Sequence, residues 1–579
     1  MPNTTDPHPL AAAWLARFGA ALARGDAPAA AALFRPDGHW RDVLAFTWDI
    51  RSISGRDAIA AAMAPALAAL SPAGFHIPSN RTPPRQVMRA GEPVIELIFA
   101  FETLAGRANG VARLTQTGSE LAAWTVVTTL EELHGHPDPS HARRSGDPDY
   151  SRDFGAENWL DKHNRAARFD DRDPAVLVVG AGQAGLAIAA RLKALDVDTL
   201  TIDRETRIGD NWRRRYHALT LHNEVHVNHM PFMPFPPTWP VFIPKDKLAN
   251  WFAAYADSLD LAVWTSTALT TGSYDPEKQC WTVTLDQDGT PRTLHPRHLI
   301  FATGVSAMKI MPDLPGLADF QGTVMHSGDY TEGHAWKGRP AVVLGTGNSG
   351  HDVAQDLNGA GAHVTMIQRS PTYVVSLREA QNVYAIYTEG LPLEDCDLLA
   401  TALPYPALVQ AYQRATAASE AADQPLLDGL DQAGFRLEKS DGTGFQMMYL
   451  RRGGGYYFNV GCSDLIIGGE ISLLQYDTID RMVEDGIKLR DGTLVKADLL
   501  VAATGYLNQR DMVRHLLGDA IADRIGPVWG FDAGGELANM WRQTPQPGLW
   551  FTAGGLAQCR IWSRYLALQI KAAEMGVAP

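Results

Sequence analysis

Val176-Leu177-Val178-Val179-Gly180-Ala181-Gly182-Gln183-Ala184-Gly185 is the stretch whose reading decides the fold. A continuous apolar run predicts a buried parallel strand. The Gly-x-Gly-x-x-Gly after it opens a run with helical spacing, which predicts the turn of a βαβ dinucleotide site. Gly180 permits the tight bend, Gly182 lets the backbone approach a pyrophosphate, and Gly185 lets helix and strand pack closely. The helix start presents free N–H groups and a partial positive charge to the phosphates. The pattern recurs 165 residues later as Val342-Val343-Leu344-Gly345-Thr346-Gly347-Asn348-Ser349-Gly350. Two such sites in one chain predict an enzyme that moves electrons between two cofactors.

The strands that follow the two turns end differently. Thr199–Ile202 runs into Asp203 and Arg204, and a carboxylate there can accept hydrogen bonds from ribose hydroxyls. His363–Ile367 runs into Gln368, Arg369 and Ser370, with no acid. Arg369 can form a fork to a 2′-phosphate, and Ser370 can add a hydrogen bond. The acid assigns FAD to the first site and the arginine assigns NADPH to the second.

At 579 residues the chain is too long for one domain. Residues 1–135 read as an α+β unit. Leu10, Trp14, Phe18 and Leu22 recur at helical spacing, Asp57–Leu70 predicts another helix, and strands are expected at Val94–Thr103, Arg107–Gln116 and Leu121–Leu133. Residues 136–172 read as a polar linker. Residues 173–329 form the first part of an FAD-binding domain, 330–497 an inserted NADPH-binding domain, and 498–579 the second FAD-binding part. Within this scheme Asp498–Ala502 is the return strand, Leu549–Phe551 the last strand, and a final helix covers Trp562 to Glu574. The fold class is therefore α/β, with two Rossmann-like dinucleotide-binding domains after an α+β extension.

Net charge is −14 with a pI near 5.7 and no basic stripe, which excludes a nucleic-acid partner. The four cysteines are far apart and form no Cys-x-x-Cys pair, which argues against a redox dithiol. Arg17 and Arg24 break the N-terminal apolar stretch, and no run of 18 apolar residues exists. No signal peptide, no membrane span and a cytoplasmic location are expected. His134, His136 and His141 lack a second group of ligands, so no metal is expected. His39 and Asp42 read as packing residues, and Arg451–Gly455 as a tight turn into Tyr456-Tyr457-Phe458.

Between the two turns stands Phe320-Gln321-Gly322-Thr323-Val324-Met325-His326-Ser327-Gly328-Asp329-Tyr330. It resembles the identifying sequence of the class B flavoprotein monooxygenases, the flavin-containing monooxygenase group, Phe-x-Gly-x-x-x-His-x-x-x-Tyr or Phe. The related Baeyer–Villiger signature has Trp where Tyr330 stands, and Thr331 takes the place of the usual lysine or proline. Ala302-Thr303-Gly304 and Ala503-Thr504-Gly505-Tyr506 resemble the family's hinges between its FAD and NADPH domains. Gly209-Asp210-Asn211-Trp212 resembles its Gly-Gly-x-Trp, with Asp210 at the second glycine. Leu221-His222-Asn223 to Met233-Pro234-Phe235-Pro236 resembles the segment of its active-site asparagine. Asn223 falls on that position, and Asn228 is a second candidate. The resemblance covers about residues 174–575 and places Gly554 at the FAD site.

The resemblance implies that NADPH reduces FAD and that O2 forms a C4a-(hydro)peroxyflavin. One oxygen atom then enters a ketone by Baeyer–Villiger oxidation, or passes to sulfur or nitrogen of a sulfide or amine. Asn223, His326 and Tyr330 are the candidate catalytic residues, with a structural or gating role open for the last two. Leu33-Phe34-Arg35-Pro36-Asp37-Gly38-His39-Trp40-Arg41-Asp42 resembles the cone-shaped α+β fold of nuclear transport factors and SnoaL-like polyketide cyclases. Flavin monooxygenases with such an extension resemble the type II subgroup, associated with ketone oxidation and a relaxed choice of nicotinamide cofactor. Arg369 favours NADPH, with NADH tolerated. Cone domains often pair, so a homodimer is expected. Two other readings are a two-dinucleotide flavin reductase or NADPH oxidase, and a non-catalytic flavin-binding regulator.

Overall fold

The computed structural model describes residues 6–118, 120–137, 154–439 and 441–577. The first helix, Pro7–Ala23, starts where the Asp6 side chain accepts from the His8 N–H and proline fills the first helical position. Its buried face carries Trp14, Phe18 and Leu22. This helix, Ala27–Ala32 and Arg56–Leu70 accompany a seven-stranded sheet. The strand Glu92–Glu102 shows how that sheet is used, because successive side chains face opposite ways. Leu97, Phe99 and Phe101 join Trp14, Phe18 and Phe34 in one core, and Phe18 meets Phe34, Phe75 and Phe99 edge-on. Ile98, with Val111 and Val127 of the neighbouring strands, joins Trp541, Tyr565 and Leu568 from the far end of the chain in another. The sheet is thus covered on both faces, and the N-terminal unit is built into the molecule.

A charged seam fixes this docking. Glu96, 2% exposed, accepts hydrogen bonds from Arg85 at 2.7 Å, Arg89 at 2.8 and 2.9 Å and Arg113 at 2.8 Å. Arg89 also reaches Glu389 at 2.6 Å. Arg113 donates to the carbonyls of Leu399 and Ala402 at 3.0 and 2.8 Å.

The rest of the chain is built on two five-stranded parallel sheets. The first runs in the order Val263–Trp264, Thr199–Ile202, Val176–Val179, His298–Phe301, Leu549–Phe551. The second runs Thr323–His326, Leu499–Ala502, Pro340–Leu344, His363–Gln368, Ser472–Gln475. This corrects one expectation. Leu499–Ala502 is not the return strand of the first sheet but an inner strand of the second, and Thr323–His326 joins that sheet ahead of residue 330. A four-residue apolar run looks the same in any buried parallel sheet, so its composition does not say which sheet it enters. Where the chain crosses between sheets, Met308–Lys309 pairs antiparallel with Tyr506–Leu507 as a short ribbon.

Three further differences are local. The final helix starts at Leu556, after Gly555, rather than at Trp562. The linker contains a helix, Trp159–Ala166, whose start is closed by reciprocal bonds between Asn158 and Asp161; its residues 138–153, His141 among them, lie outside the described residues. Between the strands Tyr373–Ser376 and Tyr456–Asn459 lies a mostly helical insertion that no motif announced. Among the described residues no helix is long and apolar enough to cross a membrane.

Burial alone would raise the Glu96 carboxyl, but the Arg89 and Arg113 guanidiniums outweigh it and hold it below the usual carboxylate range. Its stabilisation is therefore complete above the ordinary value of 4.5 and is lost as pH falls. Glu96→Gln leaves three guanidiniums around a neutral amide, and breaking a buried pair in this way costs about 3–5 kcal/mol. Thermal unfolding measured across pH is expected to show a lower midpoint at neutral pH and a flatter acid limb than the parent.

Candidate active site

The first glycine turn is crowded where it must be and open where a ligand would lie. A Cβ on Gly180, at φ +110°, would stand 2.7 Å from the Ala302 carbonyl oxygen. A Cβ on Gly185 would stand 1.8 Å from the Gly180 oxygen. A Cβ on Gly209, at φ +90°, would stand 2.4 Å from the Ala249 carbonyl oxygen. Outside this turn lies a cavity of about 1130 Å³, above the roughly 300–1,000 Å³ of drug-sized ligand pockets and suited to a dinucleotide. Gly180, Gly182, Asp203, Arg204, Asn211 and Trp212 line it, together with Gly304 and Gly554.

Two helix starts open on this cavity. Gln183–Ala194 begins at Gly182 with no side-chain cap, and Leu556–Glu574 begins at Gly555. Trp212 Nε1 donates to Gln183 at 3.3 Å, and Gln183 Nε2 donates to the Gly554 carbonyl at 3.2 Å, which ties three separate segments together. The Asp203 carboxylate accepts from the Ala181 and Glu205 N–H groups at 2.7 and 2.9 Å. It braces the turn and keeps further lone pairs for a hydroxyl.

Asn223, in the strand Thr220–Glu224, lines the same cavity. Its Nδ2 donates to the Tyr384 hydroxyl at 3.2 Å. Asn228 is buried, and its Nδ2 donates to the carbonyls of Asn223 and Glu224 at 2.9 and 3.2 Å. Of the two candidates Asn223 faces the cavity, and Asn228 fixes the backbone behind it. Burial pushes the Tyr384 phenol up to about 12, so it keeps its proton at neutral pH. Gln558 Oε1 accepts from the Tyr449 hydroxyl at 2.7 Å and the Gly555 N–H at 3.1 Å. Tyr384, Tyr449 and Gln558 carry no sequence signature. The two tyrosines come from the helical insertion, and Gln558 from the first turn of a helix expected to start later.

The second turn repeats the first. Gly345 is at φ +117°, with the Ala503 carbonyl oxygen 2.4 Å from where a Cβ would sit, and a Cβ on Gly350 would lie 2.1 Å from the Gly345 oxygen. Gly347 meets only the Tyr456 oxygen, at 3.8 Å. Asn348 Oδ1 accepts from the Phe458 N–H at 2.9 Å, with Ser349 beside it at the helix start. Phe458 lines the large cavity, so the second turn abuts that cavity without lining it. Arg369 and Ser370 are exposed at the end of the strand His363–Gln368.

His326 and Tyr330 are not in the cavity lining, whereas Gly328, Asp329 and Thr331 beside them are. His326 is buried; its Nε2 donates to the Gly505 carbonyl at 3.1 Å and its Nδ1 accepts from the Gly328 N–H at 3.0 Å. Burial holds its pKa below the ordinary value. The Tyr330 hydroxyl donates to Asp356 at 2.5 Å, and burial, reinforced by that carboxylate, pushes the phenol up. Thr504 Oγ1 donates to the Ile310 carbonyl at 2.5 Å, and Gly505 sits at φ +85°. The segment from Phe320 to Tyr330 therefore locks the edge of the second sheet to the crossing. Three of the four cysteines are held as thiols: burial pushes the Cys396 thiol up to about 11 and Cys559 to about 12, and raises Cys462. No cluster of metal-ligating side chains occurs among the described residues.

Two glycine-turn cradles and a half-buried Asn223–Tyr384 pair fit a two-dinucleotide flavin oxidoreductase. A family model described as pyridine nucleotide-disulphide oxidoreductase matches residues 177–386. Among curated relatives, the indole-3-pyruvate monooxygenase YUCCA1 of Oryza sativa subsp. japonica is 31% identical over 336 residues, covering 58% of this chain and 77% of the relative. The probable indole-3-pyruvate monooxygenase YUCCA3 of Arabidopsis thaliana is 34% identical over 205 residues, covering 34% of this chain and 47% of the relative. The crystal structure of an ε-caprolactone-bound cyclohexanone monooxygenase has the same fold, with a TM-score of 0.52 at 18% identity, covering 70% of this chain and 88% of that one. The chain belongs to the class B flavin-containing monooxygenase family.

Tyr330→Phe removes one buried hydrogen bond to a carboxylate, a loss of about 1.5–3 kcal/mol. The expected outcome is a lower unfolding midpoint with the pH profile of turnover unchanged; a lost ionisation in that profile would return Tyr330 to the chemistry.

Proposed function

We propose that the chain binds FAD at the first glycine turn and NADPH at the second, and uses them to insert one atom of O2 into a small organic substrate. The observation that carries this reading is the single cavity running from Gly180 and Gly182 to the Asn223–Tyr384 pair, with the second turn abutting it through Asn348 and Phe458. Bound flavin supplies the redox chemistry, accepting hydride and activating oxygen. The protein supplies position and dryness. The uncapped helix start at Gly182 offsets pyrophosphate charge. Asp203 and Arg204 hold the ribose end, and Gly209, Asn211, Trp212, Gly304 and Gly554 shape the bed. Asn223 and Tyr384 offer a donor and a neutral hydroxyl where substrate and flavin meet. Arg369 and Ser370 take the 2′-phosphate, and because Arg369 is exposed its contribution is modest, which leaves NADH tolerated.

In this reading residues 1–135 form a nuclear-transport-factor-like cone, an FAD-binding domain follows the linker, and an NADPH-binding domain is inserted within it. The name of the rice relative specifies indole-3-pyruvate, a 2-keto acid; its carbonyl favours oxidation at a carbonyl over transfer to sulfur or nitrogen, while the ketone-against-keto-acid choice of this chain is set by its own substrate chamber. Four free cysteines fit a reducing, cytoplasmic compartment. A disulfide reductase would need a reactive thiol pair at the cavity, and the described cysteines are not paired there. A ligand-sensing cone would need a hollow, and here aromatic rings fill it.

Asn223→Ala removes the donor to Tyr384. A buried hydrogen bond of about 1–3 kcal/mol corresponds to roughly 5- to 150-fold in rate. The variant is expected to hold flavin and consume NADPH while product per NADPH falls within that range, read as oxygen uptake against product by mass spectrometry. Unchanged product per NADPH contradicts the role. Arg369→Ala is expected to raise KM for NADPH by about 3- to 10-fold and to leave KM for NADH unchanged in steady-state assays.

A further inference from the structure

A second cavity, of about 370 Å³, lies beside Tyr384. Tyr384, Gln446, Ala557 and Gln558 line both cavities, so the two meet at the Asn223–Tyr384 pair. Three parts of the chain build the smaller chamber. The C-terminal part gives Trp541 and Trp562, stacked with ring centres 5.4 Å apart. The helical insertion gives Leu403, Leu408, Ala411 and Tyr412, and the N-terminal unit gives Ile50.

Four arginines also reach this chamber, and every one is spent. Arg41 forks onto Glu536 at 2.9 and 2.5 Å and donates to the Thr401 carbonyl at 2.8 Å. Arg89 is shared between Glu96 and Glu389, and Arg113 is held by Glu96 and two carbonyls. Arg542 binds Asp49 at 2.8 Å and Asp532 at 2.9 Å. Glu536, the one carboxylate in the lining, is held by Arg41 and by the Ser52 hydroxyl at 2.7 Å. A carboxylate entering this chamber would shed its water and find no unpaired cation. An apolar ring would meet stacked indoles and phenols. The Tyr384 hydroxyl, which accepts from Asn223, keeps its proton for one acceptor at the mouth.

We propose that this chamber is the substrate site, walled partly by the N-terminal unit, and that it takes a neutral ring-bearing ketone and rejects the matching keto acid. The N-terminal unit thus sets specificity by presenting arginines whose donors are already engaged, Arg41 on Glu536 across the boundary and Arg89 and Arg113 on Glu96. The claim about binding is independent of the flavin chemistry, while the claim that the bound ketone is oxidised rests on the function proposed above.

Phenylacetone and phenylpyruvate differ in the carboxylate and serve as probes. The purified full-length holoenzyme is titrated with each, anaerobically and without NADPH, following quenching of tryptophan fluorescence. Phenylacetone is expected to bind about 10-fold or more tightly than phenylpyruvate. Ala411→Trp fills the chamber and is expected to weaken phenylacetone by a similar factor while the rate of flavin bleaching by NADPH is unchanged. Leu408→Arg adds an unpaired cation and is expected to shift the preference toward phenylpyruvate. Equal affinities for the two probes in the parent, or phenylacetone binding unchanged in Ala411→Trp, overturn the proposal. Selective phenylacetone binding that Ala411→Trp abolishes, in a protein whose flavin NADPH does not bleach, upholds the chamber and overturns the monooxygenase reading instead.

Discussion

The contact on which the rest of the structure depends is the approach of the helix Gln183–Ala194 to the Gly180 carbonyl. A single methyl on Gly185 would lie 1.8 Å from that oxygen, so helix and turn meet closer than any side chain allows. The hinge Ala302-Thr303-Gly304 takes part in the same closure. The Ala302 carbonyl stands against Gly180, and its Cβ lies 3.5 Å from where a Gly185 methyl would be. The second turn repeats this arrangement with Ala503 against Gly345 and Gly350. The two Ala-Thr-Gly segments are thus packing partners of the two glycine turns as well as crossings between sheets, and an alanine is small enough for both duties.

Around this bed, charge is handled by pairing. Glu96 gathers three guanidiniums, Arg41 and Arg542 are neutralised across the boundary of the N-terminal unit, and Arg560 forks onto Asp397 at 2.7 Å. These contacts join the N-terminal unit, the helical insertion and the final helix into one wall. An unpaired ion in that wall would be costly; paired, it leaves an apolar interior beside the Asn223–Tyr384 pair of the large cavity. The polar groups that remain directed there are few, chiefly Asn223, Tyr384 and Gln558, each held by a named partner.

Sequence reading reached the features fixed by local chemistry. Both glycine turns, the acid after the first and its absence after the second, and the helix carrying Trp14 and Phe18 are legible because short-range spacing determines them. Asn223 was legible through family resemblance, and the structure put it at the cavity with Asn228 behind it. What escaped depends on distant pairing. Leu499–Ala502 could belong to either sheet until its neighbours were known. His326 and Tyr330 stand in a signature, but their bonds to Gly505 and Asp356 are long-range contacts that spacing could not announce. Tyr384 had no signal, since its importance comes only from facing Asn223 across 161 residues of chain. The N-terminal unit could be read as an α+β fold, but not as part of a wall, because its outward residues Ile98, Val111 and Val127 are apolar only for the sake of a surface supplied by the C-terminus.

The most direct test of the central claim, that flavin and nicotinamide meet at the Asn223–Tyr384 end of one cavity, is an anaerobic titration of the purified protein with NADPH while its flavin absorbance is followed. The account predicts a yellow protein whose band bleaches stoichiometrically and returns on admitting oxygen. A protein that stays colourless when offered FAD, or a band that persists in excess NADPH, would contradict it.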